Sequence, residues 1–156
     1  MQETKVTLIY WGLSLFIFLA LAPWIFDFFI GIILIQSLGI YGGIIIAFLG
    51  GMIWGWESKN ISSQNLWQAI GFSILGLGVS LTSAAASFNF IFSPTSLLTV
   101  SLILLIISFQ LFLYFEKKNS NFFQENKKYS NARTLISNLV TICCITSLAW
   151  LYNPYS

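Results

Sequence analysis

The sequence predicts an all-α integral membrane protein: one polytopic domain over residues 1–156, a bundle of five transmembrane helices with the N-terminus inside and the C-terminus outside. Three observations carry that expectation. The chain is 57% hydrophobic and 8% charged, whereas ordinary soluble domains carry about 25% charged residues. A bilayer core about 30 Å thick takes roughly 20 apolar residues per helix, so 156 residues with short loops have room for about five spans. Every Lys and Arg also falls on one side of such a bundle, as worked out below.

The first span is expected at about 6–22 and ends at "PWIFDFF", where Pro23 and Asp27 break the apolar run. The second covers about 32–56 and stops at "ESKNISSQN". The third, 66–86, ends in "SFNFIFSPTS", and the fourth, 97–115, in "EKKNSNFFQENKKYSNAR". The last covers 135–152. "SPTS" and "NKKYSNAR" supply Ser, Thr and Asn candidates for helix N-caps. Phe122 and Phe123 interrupt the longest polar loop and are expected to lay it on the membrane surface.

Charge tests the count independently. With five spans, one side collects Lys5, Lys59, Lys117, Lys118, Lys127, Lys128 and Arg133, all 7 basic residues of the chain. The other side holds only Asp27, which is read as a solvated turn residue or an outer proton-handling carboxylate. The basic side is the inner one by the positive-inside rule. Trp11, Trp24, Trp54, Trp56, Trp67 and Trp150 lie near predicted span ends, as in an aromatic belt. Lys5, the apolar run and Ala20-Leu21-Ala22 also resemble a cleavable signal, but Pro23 directly after the cleavage point argues against processing.

The second span carries a row of small residues at Gly39, Gly43, Ala47, Gly51 and Gly55, each four apart, with Gly42 and Gly50 beside it. Glycine weakens a water-exposed helix by about 1 kcal/mol relative to alanine, whereas in lipid it lets backbones approach closely. The row is expected to pack against another helix in a right-handed crossing near Gly43 to Gly51, and near one end against a further helix of this chain or of another subunit. A glycine-permitted kink is the competing explanation.

Groups for chemistry are sparse. The chain has 0 His, which removes the commonest metal ligand and the usual general base near neutral pH. Cys143 and Cys144 are adjacent on one helix, about 100° apart, and are read as small apolar fillers. No catalytic residue, cofactor or metal is expected, nor any phosphate-cradling or zinc motif. Nothing in the basic residues suits nucleic acid. Glu57, Glu116 and Arg133 each end a span on the inner side, where they either form an ion cluster clamping three helices or snorkel independently. Gln36, Ser37, Gln110, Ser137 and Asn138 either hydrogen-bond between helices or line a small cavity.

"YGGIIIAFLGGMIWG", Tyr41 to Gly55, resembles the Y-G-x-x-(I/L)-x-x-F-L-G-G-x-x-W-G core of the domain of unknown function 3429 family, which includes transmembrane protein 69. "YWGLSLF" at Tyr10 to Phe16 is similar to the family's first-span Y-x-G-L-x-P-F. "ARTLIS" is similar to its L-R-x-x-L-T opening of the last span, and Glu116 falls where an acid ends its fourth span. Leu15 stands where the family has proline, and Ile53 where it often has His or Arg. The resemblance implies a five-span protein of a bacterial or mitochondrial inner membrane and brings no established reaction.

Two roles follow. The first is a non-catalytic accessory or packing subunit, or an assembly factor, of a larger membrane complex, with membrane lipids and other membrane subunits as its partners. The second is a carrier or binding protein for a small lipophilic molecule, a quinone or lipid, with Tyr41, Trp54, Trp56, Gln36 and Gln110 around the pocket.

Overall fold

The computed structural model describes residues 2–55, 63–88 and 93–153. Among the described residues six α-helices follow one another: α1 Gln2–Leu21, α2 Phe28–Met52, α3 Ser63–Ala85, α4 Pro94–Asn119, α5 Asn121–Glu125 and α6 Lys127–Leu151. Single 3-10 turns lie at Ala22–Trp24 and Ile53–Gly55. No strand occurs among the described residues. Among the described residues four helices are long and apolar enough to cross a membrane, at Phe28–Met52, Asn65–Ala85, Pro94–Asn119 and Lys127–Leu151. The first helix carries a shorter apolar run, Tyr10–Trp24.

Local chemistry sets the boundaries. Pro23 lies in the 3-10 turn after α1, and exposed Asp27 holds the extended N-cap position before α2, where its carbonyl accepts from Gly31 N at 2.8 Å. Helix α4 opens with Pro94 at its first position, and the Ser93 hydroxyl accepts from Ser96 N at 3.3 Å. It closes with Lys117 and Lys118 in its last turn, where the helix dipole favours cations. Each helix begins before its expected span, because hydropathy marks the apolar part while the backbone continues to its caps, whereas α2 ends at Met52, short of the expected 56. Thus α2 begins at Phe28 rather than Ile32, α4 reaches Asn119, and α6 starts at Lys127, eight residues before Leu135.

The helices form a ring in the order α1, α6, α4, α3, α2, and a direct α2–α4 contact closes its middle. The closest approach is between α2 and α3. A Cβ at Gly43 would strike the Gly76 carbonyl and the Ser80 hydroxyl, and one at Gly76 would strike Gly43 and Ala47. Hydroxyls stitch the same seam: Ser83 donates to the Gln36 carbonyl at 2.9 Å and Ser80 to the Ile40 carbonyl at 3.2 Å. Gly39 belongs to this seam through Ser83 and Ser101, Gly50 through Ala69 and Ser73, while Gly42 receives Leu105 of α4. The expected row does not continue as a contact to Gly51, where a Cβ would meet nothing within 4 Å. Four-residue steps drift about 40° each around a helix, so Gly51 has turned outward while its neighbour Gly50 has turned in. Gly55 ends the second 3-10 turn.

Helix α4 is the core element. Its buried face, Leu98, Ser101, Leu102, Leu105, Ser108, Phe109 and Phe112, repeats at helical spacing and meets Ile35, Leu38 and Ile46 of α2 and Val140 of α6. The outer surface is equally apolar, with Ile74, Leu77, Leu81, Ile103, Ile107, Ile142 and Ile145 exposed. An exterior of that kind is suited to hydrocarbon rather than water. Trp150 departs from the expected belt. It is 3% exposed, stacks on Phe28 at 5.5 Å, and lies against Gly31, where a Cβ would collide with its ring. Trp11, Trp24, Trp54 and Trp67 are exposed, and Trp56 lies outside the described residues. Cys143 and Cys144 are buried free thiols.

Candidate functional site

The polar sequence between α4 and α6 folds into a capped cluster. Glu116 sits on the last turn of α4, whereas Tyr129 and Arg133 are four residues apart on α6 and so share one face. Arg133 Nε donates to Glu116 Oε2 at 2.8 Å, and the Tyr129 hydroxyl donates to Glu116 Oε1 at 2.7 Å. Glu116 is 1% exposed and Arg133 4%, so neither charge has water to solvate it. Burial of that kind is tolerated because each charge has the other and both carboxylate oxygens are satisfied. The guanidinium carbon also lies 5.2 Å from the Phe112 ring centroid. Short α5 covers the cluster: the Ser120 hydroxyl caps it at Phe123 N, and Phe122 and Phe123 turn their rings onto Tyr129 at 5.0 and 6.3 Å. The two phenylalanines, expected on the membrane surface, therefore pack on the protein, with Phe123 buried.

One donor of this cluster stays unused. Arg133 Nη2 is buried and has no hydrogen-bond partner among the described residues. Arg133 is also part of the wall of a cavity of about 340 Å³. The cavity is lined from α1 by Gly12, Leu13 and Phe16, and from α2 by Ile45, Phe48, Leu49 and Met52. Phe109 of α4 and Tyr129, Arg133 and Ile136 of α6 complete it. Apart from Tyr129 and Arg133 every lining side chain is apolar. Phe48, 64% exposed, stands at the rim and connects the interior with the outer apolar surface. The volume lies within the range of small-molecule pockets, about 300–1,000 Å³, which are mostly apolar with a few placed polar groups. Beside it the Tyr41 hydroxyl donates to the Gly12 carbonyl at 3.2 Å, and Phe16 touches the Tyr41 and Phe109 rings at 5.0 and 5.8 Å. These contacts tie α1 to α2 and α4 at the cavity wall.

The described members of the expected pocket, Tyr41, Trp54, Gln36 and Gln110, do not line this cavity. Gln36 donates to the Ala84 carbonyl at 3.2 Å and to Ser87 Oγ at 2.6 Å, joining α2 to the end of α3. Gln110 donates to Thr141 Oγ1 at 2.9 Å between α4 and α6. Trp54 is exposed, and Tyr41 flanks the cavity without lining it. Trp56 and Glu57 lie outside the described residues, so of the three-residue ion cluster the structure describes the Glu116–Arg133 pair. Among the described residues no three His, Cys, Asp or Glu side chains gather as metal ligands. Sequence reasoning missed Tyr129 and the α1 wall. A signal for Tyr129 was available, since Tyr129, Arg133 and Ile136 recur at i, i+4 and i+7 and must share a helix face. Stretches far apart in the chain meet at this cavity: Gly12 to Phe16, Ile45 to Leu49, and Arg133 with its partner Glu116.

No curated protein and no solved structure matches the chain. A family model described as "Protein of unknown function (DUF3429)" matches residues 1–149, and the chain belongs to that family.

Proposed function

We propose that this protein is a non-catalytic, five-span inner-membrane protein that binds a small lipophilic molecule in the cavity between α1, α2, α4 and α6. The cavity carries the reading: an apolar chamber that reaches the outer apolar surface at Phe48 and holds a buried, partly unsatisfied guanidinium on its wall. Tyr129 and Arg133 are the polar side chains of its described lining, and Glu116 engages both, which leaves no free nucleophile or general base among the described lining residues. Five spans are supported by α1, which packs alongside α6 and buries Leu13, Phe16, Leu19 and Ala20 in the bundle. The one-sided Lys and Arg distribution supports an inner-side location for the Arg133 end.

A role as accessory subunit or assembly factor drew on the glycine row as a surface for other subunits. Gly39, Gly42, Gly43 and Gly50 find their close contacts within the chain, which leaves outward-facing Gly51 as the part of that row open to another subunit. Gentle detergent extraction with quantification of co-purifying proteins and lipid-soluble molecules tests the choice. The expected result is a small molecule at about one per chain that is lost in Ile45→Trp, which fills the cavity. A stoichiometric set of partner proteins, with an empty cavity, would return the role to a subunit.

A further inference from the structure

We infer that the ligand is an uncharged, flat, carbonyl-bearing ring on an apolar tail, the quinone class of molecule, whose carbonyl oxygen accepts a hydrogen bond from the Arg133 guanidinium at the cavity wall. This rests on the binding role proposed above and names the chemistry of its ligand. Arg133 is 4% exposed and spends Nε on Glu116, while Nη2 has no partner among the described residues. A buried donor in that state calls for an acceptor. The acceptor is neutral on electrostatic grounds. Glu116 already balances the guanidinium, and both its oxygens are occupied, by Arg133 and by Tyr129. An anionic head group would set a second negative charge beside Glu116 in a low-dielectric wall, or displace Glu116 and leave it buried without its counter-ion. Large zwitterionic head groups fail for a different reason, because two polar side chains cannot satisfy their many donors and acceptors.

The shape of the wall selects a ring. Phe16, Phe48, Phe109 and Tyr129 place four aromatic side chains around the chamber, and such rings pair well with a planar system in offset or edge contacts. The exposed rim at Phe48 gives a tail its way out into hydrocarbon.

The test is native mass spectrometry and equilibrium dialysis of the full-length protein in nanodiscs of neutral lipid. Three probes are used: a 1,4-benzoquinone with a ten-carbon tail, dioleoylglycerol and dioleoyl phosphatidylglycerol. The benzoquinone is expected to bind one per chain in preference to both others. Its isotope-labelled carbonyl stretch should shift down on binding. In the paired variant E116L/R133M, which leaves no lone charge, affinity should fall about 10- to 100-fold, the worth of one hydrogen bond to a charged donor, and the infrared shift should vanish. Binding of phosphatidylglycerol or of the glyceride in place of the quinone would overturn the inference and leave the binding role standing. Failure of all three to bind would overturn both. Should the paired variant not fold, the probe ranking and the infrared shift on the wild-type protein still decide.

Discussion

Breaking the Glu116–Arg133 pair from one side should cost far more than removing it whole. In Arg133→Met the Glu116 carboxylate, 1% exposed, keeps Tyr129 at 2.7 Å but loses its counter-ion at 2.8 Å. In Glu116→Leu the guanidinium, 4% exposed, is left with the Phe112 face and no carboxylate. Orphaning one member of a buried pair costs about 3–5 kcal/mol, whereas replacing both members by apolar groups of similar volume is often neutral. For a chain of this size each kcal/mol moves Tm by about 2–4 °C, so each single variant should melt about 6–20 °C lower. The double variant E116L/R133M should melt closer to the wild type than either single variant does. Thermal unfolding of the four proteins in one detergent, followed by a fluorescent thiol probe on Cys143 and Cys144, completes the cycle. Additive losses, or losses below about 1 kcal/mol in every variant, would mean that the two side chains snorkel to water independently and that the cluster is not the buried pair described above.

Two further outcomes follow from the packing and the charge distribution. Gly43→Ala should destabilise by about 1–3 kcal/mol through overpacking against Gly76 and Ser80. Gly51→Ala, in open space, should be neutral or stabilise by up to about 1 kcal/mol, and equal effects at the two sites would refute the α2–α3 seam. Topology reporters fused after Ser62 and within residues 120–126 should read cytoplasmic, while fusions after Asn89 and at Ser156 should read external; an external signal from the 120–126 segment would contradict five spans.

What could be read from the sequence depended on whether the signal was one-dimensional. Hydropathy located the apolar parts of α2, α3, α4 and α6, and Ser93-Pro94 marked the start of α4 as a cap and a first-turn proline. It could not mark the start of α6, because Lys127 to Arg133 is polar and still helical, stabilised by burial of Tyr129, Ala132 and Arg133 rather than by lipid. Helix α5 was hidden for a similar reason, since five residues carry too little periodicity to register. The glycine row signalled close packing, but only three-dimensional placement separates Gly50, which faces Ala69 and Ser73, from outward-turned Gly51. The cavity depends on four helices at once. Its residues were visible singly, as Arg133 was through its charge, yet nothing in the chain tells that Gly12 and Phe16 complete a wall begun by Ile45 and Tyr129. The glutamines illustrate the converse. Gln36 and Gln110 could be read as pocket residues or as hydrogen bonds between helices, and each takes the second part, satisfied by a neighbouring helix.

Photolabelling tests the cavity as a ligand site most directly. A benzoquinone carrying a diazirine on its tail is activated on the full-length protein in native membranes, and the adducts are mapped by mass spectrometry. Labelling should concentrate on the peptides that hold Phe16, Ile45 to Met52 and Ile136, and it should be displaced by excess unlabelled quinone. Labelling spread evenly over lipid-facing side chains such as Ile74, Leu81 and Ile142, and unmoved by competitor, would contradict a binding site in this cavity.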